Sequence, residues 1–151
     1  MSTKIMTYWE TFLQATKRDY DTKYYAVFSF GNTEELATEC LELVLSGTKT
    51  ATSSALPAYI NNNEAQPRKN DLSIVTDWAG APQCVIETTA VTEIKFSDMT
   101  YAICKREGEH DDLLSWQRDH RTFFIADGAR SGYEFTEDMP ILFEDFKVIY
   151  K

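Results

Sequence analysis

The stretch that most constrains this chain is a pair of β-prone runs that double back on each other. Leu72-Ser73-Ile74-Val75-Thr76-Asp77 leads into Trp78-Ala79-Gly80-Ala81-Pro82, and the chain resumes as Cys84-Val85-Ile86-Glu87-Thr88-Thr89-Ala90-Val91. β-Branched residues on both sides of a short segment bearing Gly and Pro predict an antiparallel hairpin. Leu72, Ile74 and Val85 are residues of the kind that fill a barrel interior. Further extended runs flank the hairpin. Ile141 to Tyr150 predicts a long closing strand, and Tyr24 to Phe30 a short extended segment that stops at Gly31. The Thr-rich Thr48-Lys49-Thr50-Ala51-Thr52-Ser53-Ser54 suits a strand at a sheet edge.

Helical patterns lie between these runs. Ile5, Tyr8, Trp9, Phe12 and Leu13 recur at helical spacing and predict a first helix over about residues 3–17, giving way to Lys17-Arg18-Asp19. A second helix starts with Asn32 as its cap and Glu35 as the capping-box partner. Leu36, Cys40, Leu43 and Val44 mark its buried face, and Ser46-Gly47 closes it, with Gly47 left-handed. Asp98 to Cys104 predicts a short helix, and Glu107 to Asp112 a hinge-like acidic loop. Asp111 or Asp112 then caps a helix carrying Leu113, Leu114, Trp116, Phe123 and Phe124. Strands with helices inserted between them indicate an α+β fold, not a parallel α/β sheet. No repeat or Gly/Pro/Ser-rich linker divides the chain, so residues 1–151 are expected to form a single domain.

Charge and composition narrow the function classes. At 43% hydrophobic the chain can bury a sizeable core. No run approaches the ~20 apolar residues of a membrane span, and no membrane partner is expected. Cys40, Cys84 and Cys104 are scattered, without a Cys-x-x-Cys pair, which points to free thiols in a reducing, cytoplasmic setting. The N-terminus also lacks a secretory-signal layout. A net charge of −9 opposes gripping a long phosphate backbone, so no DNA partner is expected and long RNA is disfavoured. A small nucleoside or nucleotide is disfavoured much less.

Taken in order, four segments resemble the ASCH family: Ser46-Gly47-Thr48-Lys49-Thr50-Ala51-Thr52, Cys84 to Thr89, Glu107-Gly108-Glu109 followed by Trp116, and Phe135 through Asp138-Met139 and Glu144 to Phe146-Lys147-Val148-Ile149-Tyr150. Phe30-Gly31 adds a further match. The resemblance, to bacterial stand-alone members, covers about residues 25–151 and leaves the first helix as an added element. Asn70-Asp71 stands where the family usually has Gly-Asp, Asp145 stands where a basic residue usually follows Glu144, and two extra residues precede Glu107. The resemblance implies a PUA-like small mixed β-barrel with flanking helices, and a role tied to RNA or its components. Within the family it implies two enzymatic roles, a ribonuclease and an amidohydrolase that removes an acyl group from the N4 amine of acylated cytidine. The amidohydrolase pattern is Lys-x-x-Thr plus a Glu in the later acidic loop. Lys49 and Thr52 match it, with Glu107 as the carboxylate and Glu109 as the reserve.

The chemistry of these residues is coherent. Thr52 offers a hydroxyl that becomes a nucleophile once a base takes its proton, and Lys49 can be that base if burial lowers its pKa. Their odd separation would put them on opposite faces of an ideal strand, so the turn after Gly47 or a bulge must bring them together. Gly47, Thr50 and Glu109 join them as substrate-binding candidates, with Trp78 for base stacking and Arg118 for a phosphate. Blander roles stand beside each of these. Lys49 can simply meet helix-terminal carbonyls, Thr50 and Thr52 can be ordinary strand residues, and the acidic loop a solvated cap. His110 has no neighbour in sequence that would make a metal site, and His120 with Arg118 and Arg121 suits exposed surface. No metal or cofactor is expected. Three functions remain: a nucleoside amidohydrolase, a non-catalytic RNA-binding module and a metal-independent ribonuclease, with the first preferred on motif and charge.

Overall fold

The computed structural model describes residues 2–151. In chain order the elements are α1 (Thr3–Ala15), β1 (Ala26–Phe28), α2 (Glu34–Leu45), β2 (Ala51–Ala55), α3 (Leu56–Asn61), β3 (Leu72–Thr76), β4 (Pro82–Lys95), the single-turn α4 (Tyr101–Cys104), α5 (Leu113–Ser131) and β5 (Pro140–Tyr150). The strands form one curled, half-barrel sheet in the order β1-β3-β4-β5-β2. β1 pairs parallel with β3, and every other pairing is antiparallel. The predicted hairpin is β3–β4, and β2 is an edge strand, in keeping with its Thr-rich composition. β4 extends past Val91 to Lys95, and its pairing with β5 shifts register at Val85/Ile86 and again at Thr88/Ala90. Such bulges bend a strand and increase its twist, which lets a long two-stranded ladder curl.

Alternating side chains of β3 and β4 serve two cores, as a period-2 strand must. Leu72, Ile74 and Val85 are buried beneath Ile5, Trp9, Phe12 and Leu13 of α1. Val75, Cys84 and Ile86 pack with Phe146 against Cys40 and Val44 of α2. Trp116 and Phe124 of α5 cover Ala51, Ala55, Ile141 and Phe143 at the far end of the sheet. All three cysteines are buried and free. Among the described residues no helix is long and apolar enough to cross a membrane.

Several boundaries differ from those read off the sequence. Thr33, not Asn32, caps α2, its hydroxyl accepting the Leu36 amide at 3.2 Å. Leu36 is exposed, and Ala37, three residues before Cys40, takes the core position instead. Asp112 caps α5 by accepting the Ser115 amide at 2.8 Å, while Leu114 faces solvent. α1 ends at Ala15, because Lys17 turns to a positive φ of 55°.

Candidate functional site

Two glycines build the site. Gly47, at φ 83°, stops α2 and turns the chain so that the Thr48 and Lys49 amides both donate to Leu43 O, at 2.9 and 3.0 Å. Lys49 thus precedes β2 and is not subject to strand alternation, which resolves its odd spacing from Thr52. The acidic loop is fastened to the same turn, for the Thr50 amide donates to Arg106 O at 2.9 Å. Gly108, at φ 74°, comes so close that a Cβ there would lie 2.5 Å from Thr48 O. With no side chain between them, the carboxylates on either side of Gly108 converge on Lys49.

Lys49 is 2% exposed and Glu107 1%. Lys49 Nζ donates to Glu109 Oε2 at 2.6 Å and to Ala51 O at 2.8 Å, and lies 3.6 Å from Glu107 Oε1. Glu107 Oε2 accepts from Ser53 Oγ at 2.8 Å and Trp116 Nε1 at 2.7 Å. Its Oε1 is 3.4 Å from His120 Nε2. His120 stacks on Trp116 with ring centroids 4.1 Å apart, and its Nδ1 donates to Trp116 O at 2.9 Å. Glu109 Oε1 accepts from the Cys40 thiol at 3.4 Å. Lys49, Thr52, Ser53, Glu107, Glu109 and His120 all line one cavity of about 380 Å³, within the size range of small-molecule sites.

The electrostatics fix which groups carry charge. Burial pulls the Lys49 pKa down, but Glu107 and Glu109 outweigh it and hold the pKa above its ordinary value. A general-base role requires a lowered amine pKa, so at rest this lysine is an ammonium ion instead. Burial likewise pushes Glu107 up, yet the Lys49 charge and hydrogen bonds from His120 and Trp116 hold it at about 2. The Cys40 thiol is pushed up to about 12 by burial and by Glu109, which leaves it a hydrogen-bond donor and a poor nucleophile.

Of the residues singled out from sequence, Lys49, Thr52, Glu107 and Glu109 meet around this cavity. The Thr52 hydroxyl has no hydrogen-bond partner among the described residues. Gly47 and Thr50 instead line a second hollow, beside Lys147 and Val148, which Lys49 also borders. Trp78 stands 47% exposed at the hairpin tip, and the Arg118 side chain is 71% exposed and spends its Nε on Asp119; neither lines the cavity. The helical phase of α5 turns Asp119 and His120 to the cavity and Arg118 away from it.

Ser53, Cys40, Asp119 and His120 are the contributors that sequence reasoning missed. His110 and His120, ten residues apart in sequence, lie with ring centroids 5.7 Å apart, and His110 Nε2 is 2.9 Å from Asp119 Oδ2. The usable signal was the i, i+4 spacing of Trp116 and His120, which puts both on one helix face. Among the described residues no group of three or more His, Cys, Asp and Glu is arranged to hold a metal ion.

The sequence profile of the ASCH domain matches residues 26–150. The crystal structure of an ASCH domain from Lactobacillus crispatus JV V101 superposes with a TM-score of 0.89 at 34% identity, covering 100% of this chain and 97% of that one. A crystal structure from Enterococcus faecalis V583 superposes with a TM-score of 0.90 at 28% identity, covering 99% and 90%. No curated protein matches the chain.

Proposed function

Because the chain belongs to the ASCH domain family, which is generally RNA-related, we propose that its cavity binds a pyrimidine nucleoside and removes an acyl group from the exocyclic N4 amine. One observation carries this reading: a buried Lys49 ammonium, clamped between Glu107 and Glu109, shares a cavity with the open hydroxyl of Thr52. The fixed ammonium suits a developing oxyanion, a role that needs charge already in place. Glu107 is saturated by Ser53, Trp116, His120 and Lys49, so its part is to orient the lysine. Glu109 is the less enclosed carboxylate and the better proton carrier.

In the proposed reaction the Thr52 oxygen bonds to the acyl carbon as its proton passes to Glu109. The carbon–nitrogen bond then breaks, and Glu109 returns the proton to the departing amine. Water repeats the sequence on the acyl-threonine ester: its oxygen bonds to the acyl carbon as Glu109 takes its proton, and the ester bond breaks as Glu109 returns the proton to the Thr52 oxygen, releasing the carboxylic acid. The test is a panel of N4-acylated cytidines and a short RNA incubated with wild type, Thr52→Ala, Ser53→Ala and Glu109→Gln. Wild type is expected to release cytidine. Thr52→Ala should abolish release, and Glu109→Gln should lower kcat by about 100-fold or more. Loss of activity in Ser53→Ala with retention in Thr52→Ala would move the nucleophile to Ser53. RNA cleavage that persists in EDTA, or RNA binding without turnover, would replace this reading with the ribonuclease or the binding module.

A further inference from the structure

Carboxylates outnumber the one ammonium in the cavity, and apart from the Thr52 hydroxyl most of its side-chain donors are engaged. Four carboxylates line it: Glu107 and Glu109 inside, with the more exposed Glu39 of α2 and Asp119 of α5. Against them stands Lys49, whose Nζ spends two of its three N–H donors on Ala51 O and Glu109 and lies 3.6 Å from Glu107 Oε1. Of the four ring nitrogens of the two histidines, only His110 Nδ1 is without a hydrogen-bond partner, and it is buried. His110 Nε2 faces Asp119, while His120 directs Nδ1 to Trp116 O and Nε2 toward Glu107. Arg118 points to solvent and donates its Nε to Asp119. A phosphate needs cationic or backbone donors aimed at its oxygens. Here it meets carboxylates, and in a partly enclosed cleft their repulsion is screened less than on open surface.

Resting on the nucleoside reading above, we infer that the site selects by charge: it takes an uncharged nucleoside and rejects the 5′-phosphate of that nucleoside and its phosphodiesters. The acceptor-rich wall suits the hydroxyl and amino donors of a ribose and a cytosine ring, which a neutral ligand brings without added negative charge.

The experiment titrates wild type calorimetrically with cytidine and with cytidine 5′-monophosphate at roughly 0.02 M and roughly 0.5 M salt, and repeats both titrations on Glu39→Lys. kcat/KM for the N4-acetylated form of each ligand is measured in parallel. At low salt the monophosphate is expected to bind about tenfold or more weaker than cytidine. High salt and Glu39→Lys should each narrow that gap several-fold. Equal or tighter binding of the monophosphate overturns the inference, as does a gap that neither salt nor Glu39→Lys changes. In either case hydrolysis of N4-acetylcytidine still stands or falls separately. Binding of cytidine with the predicted gap but no hydrolysis leaves the charge rule intact and removes the catalytic reading. Failure of both ligands to bind overturns the two together.

Discussion

Glu107 and Glu144 are both largely enclosed carboxylates, and their surroundings drive them in opposite directions. Glu107 has an ammonium, an imidazole, an indole N–H and a hydroxyl around it and stays ionised. Glu144, opposite Thr52 in the sheet, has one hydroxyl, Thr88 Oγ1 at 2.6 Å. Burial and the charge of Asp71 push its pKa up, and Thr88 offsets this only in part. A carboxyl whose pKa is higher folded than unfolded costs stability wherever it is ionised. Glu144→Gln is therefore expected to raise Tm at pH 7 by a few degrees, on the order of 2–4 °C. The gain should vanish below the ordinary value of 4.5, where both states carry the proton. Thermal unfolding at pH 7 and pH 4 checks it. Two departures from the family pattern also become intelligible at this scale. Asn70 occupies a left-handed backbone position at φ 77°, where Asn is the best substitute for the usual Gly. Asp145, in place of a basic residue, pairs with Arg106 at 3.3 Å.

Among the elements, the loop Glu107-Gly108-Glu109 matters most, and its position depends on an absent side chain. Gly108→Ala introduces a Cβ into Thr48 O at a backbone angle that L-residues avoid. We expect about 1–3 kcal/mol of destabilisation in urea unfolding and a larger proportional loss of activity, because the loop must lift both carboxylates off Lys49. The elements themselves were largely legible in the sequence. The hairpin, the Gly47 stop and the closing strand each rest on local chemistry, and each stands close to where it was expected. What could not be read was long-range. Nothing near Lys49 announces that residues about sixty positions later will dock on it, nor that Ser53 rather than Thr52 will donate to Glu107. Likewise Asn32 and Thr33 are both good caps, and only the entry angle of α2 decides between them.

For the molecule as a whole, the buried Lys49–Glu107–Glu109 cluster ties stability to pH at both ends of the scale. Glu107 has a lowered pKa, so its contribution is present above the ordinary value of 4.5 and is lost as pH falls toward about 2. Lys49 has a raised pKa, so its contribution is complete below its ordinary value of 10.5 and is lost as pH rises beyond it. Lys49→Met strands two carboxylates in the interior and should cost about 3–5 kcal/mol at neutral pH. The deficit relative to wild type, measured by urea unfolding across pH, should be greatest in the mildly alkaline range and, as pH falls, begin to shrink while still above pH 4.5, because without the ammonium burial raises the carboxylates' pKa values. It should shrink in acid, where the stranded carboxylates accept protons, and in strong alkali, where wild type surrenders its own ammonium.

The face-to-face stack of His120 on Trp116 gives this protein a light source just behind the cavity wall that His120 forms. Indole emission is sensitive to an imidazole lying against it and to the carboxylate that holds the indole N–H. Any guest that disturbs His120 or Glu107 therefore alters the fluorescence of Trp116. With Trp9 and Trp78 replaced by Phe, arrival and departure of such a guest can be followed from that emission, with no label and no coupled reaction.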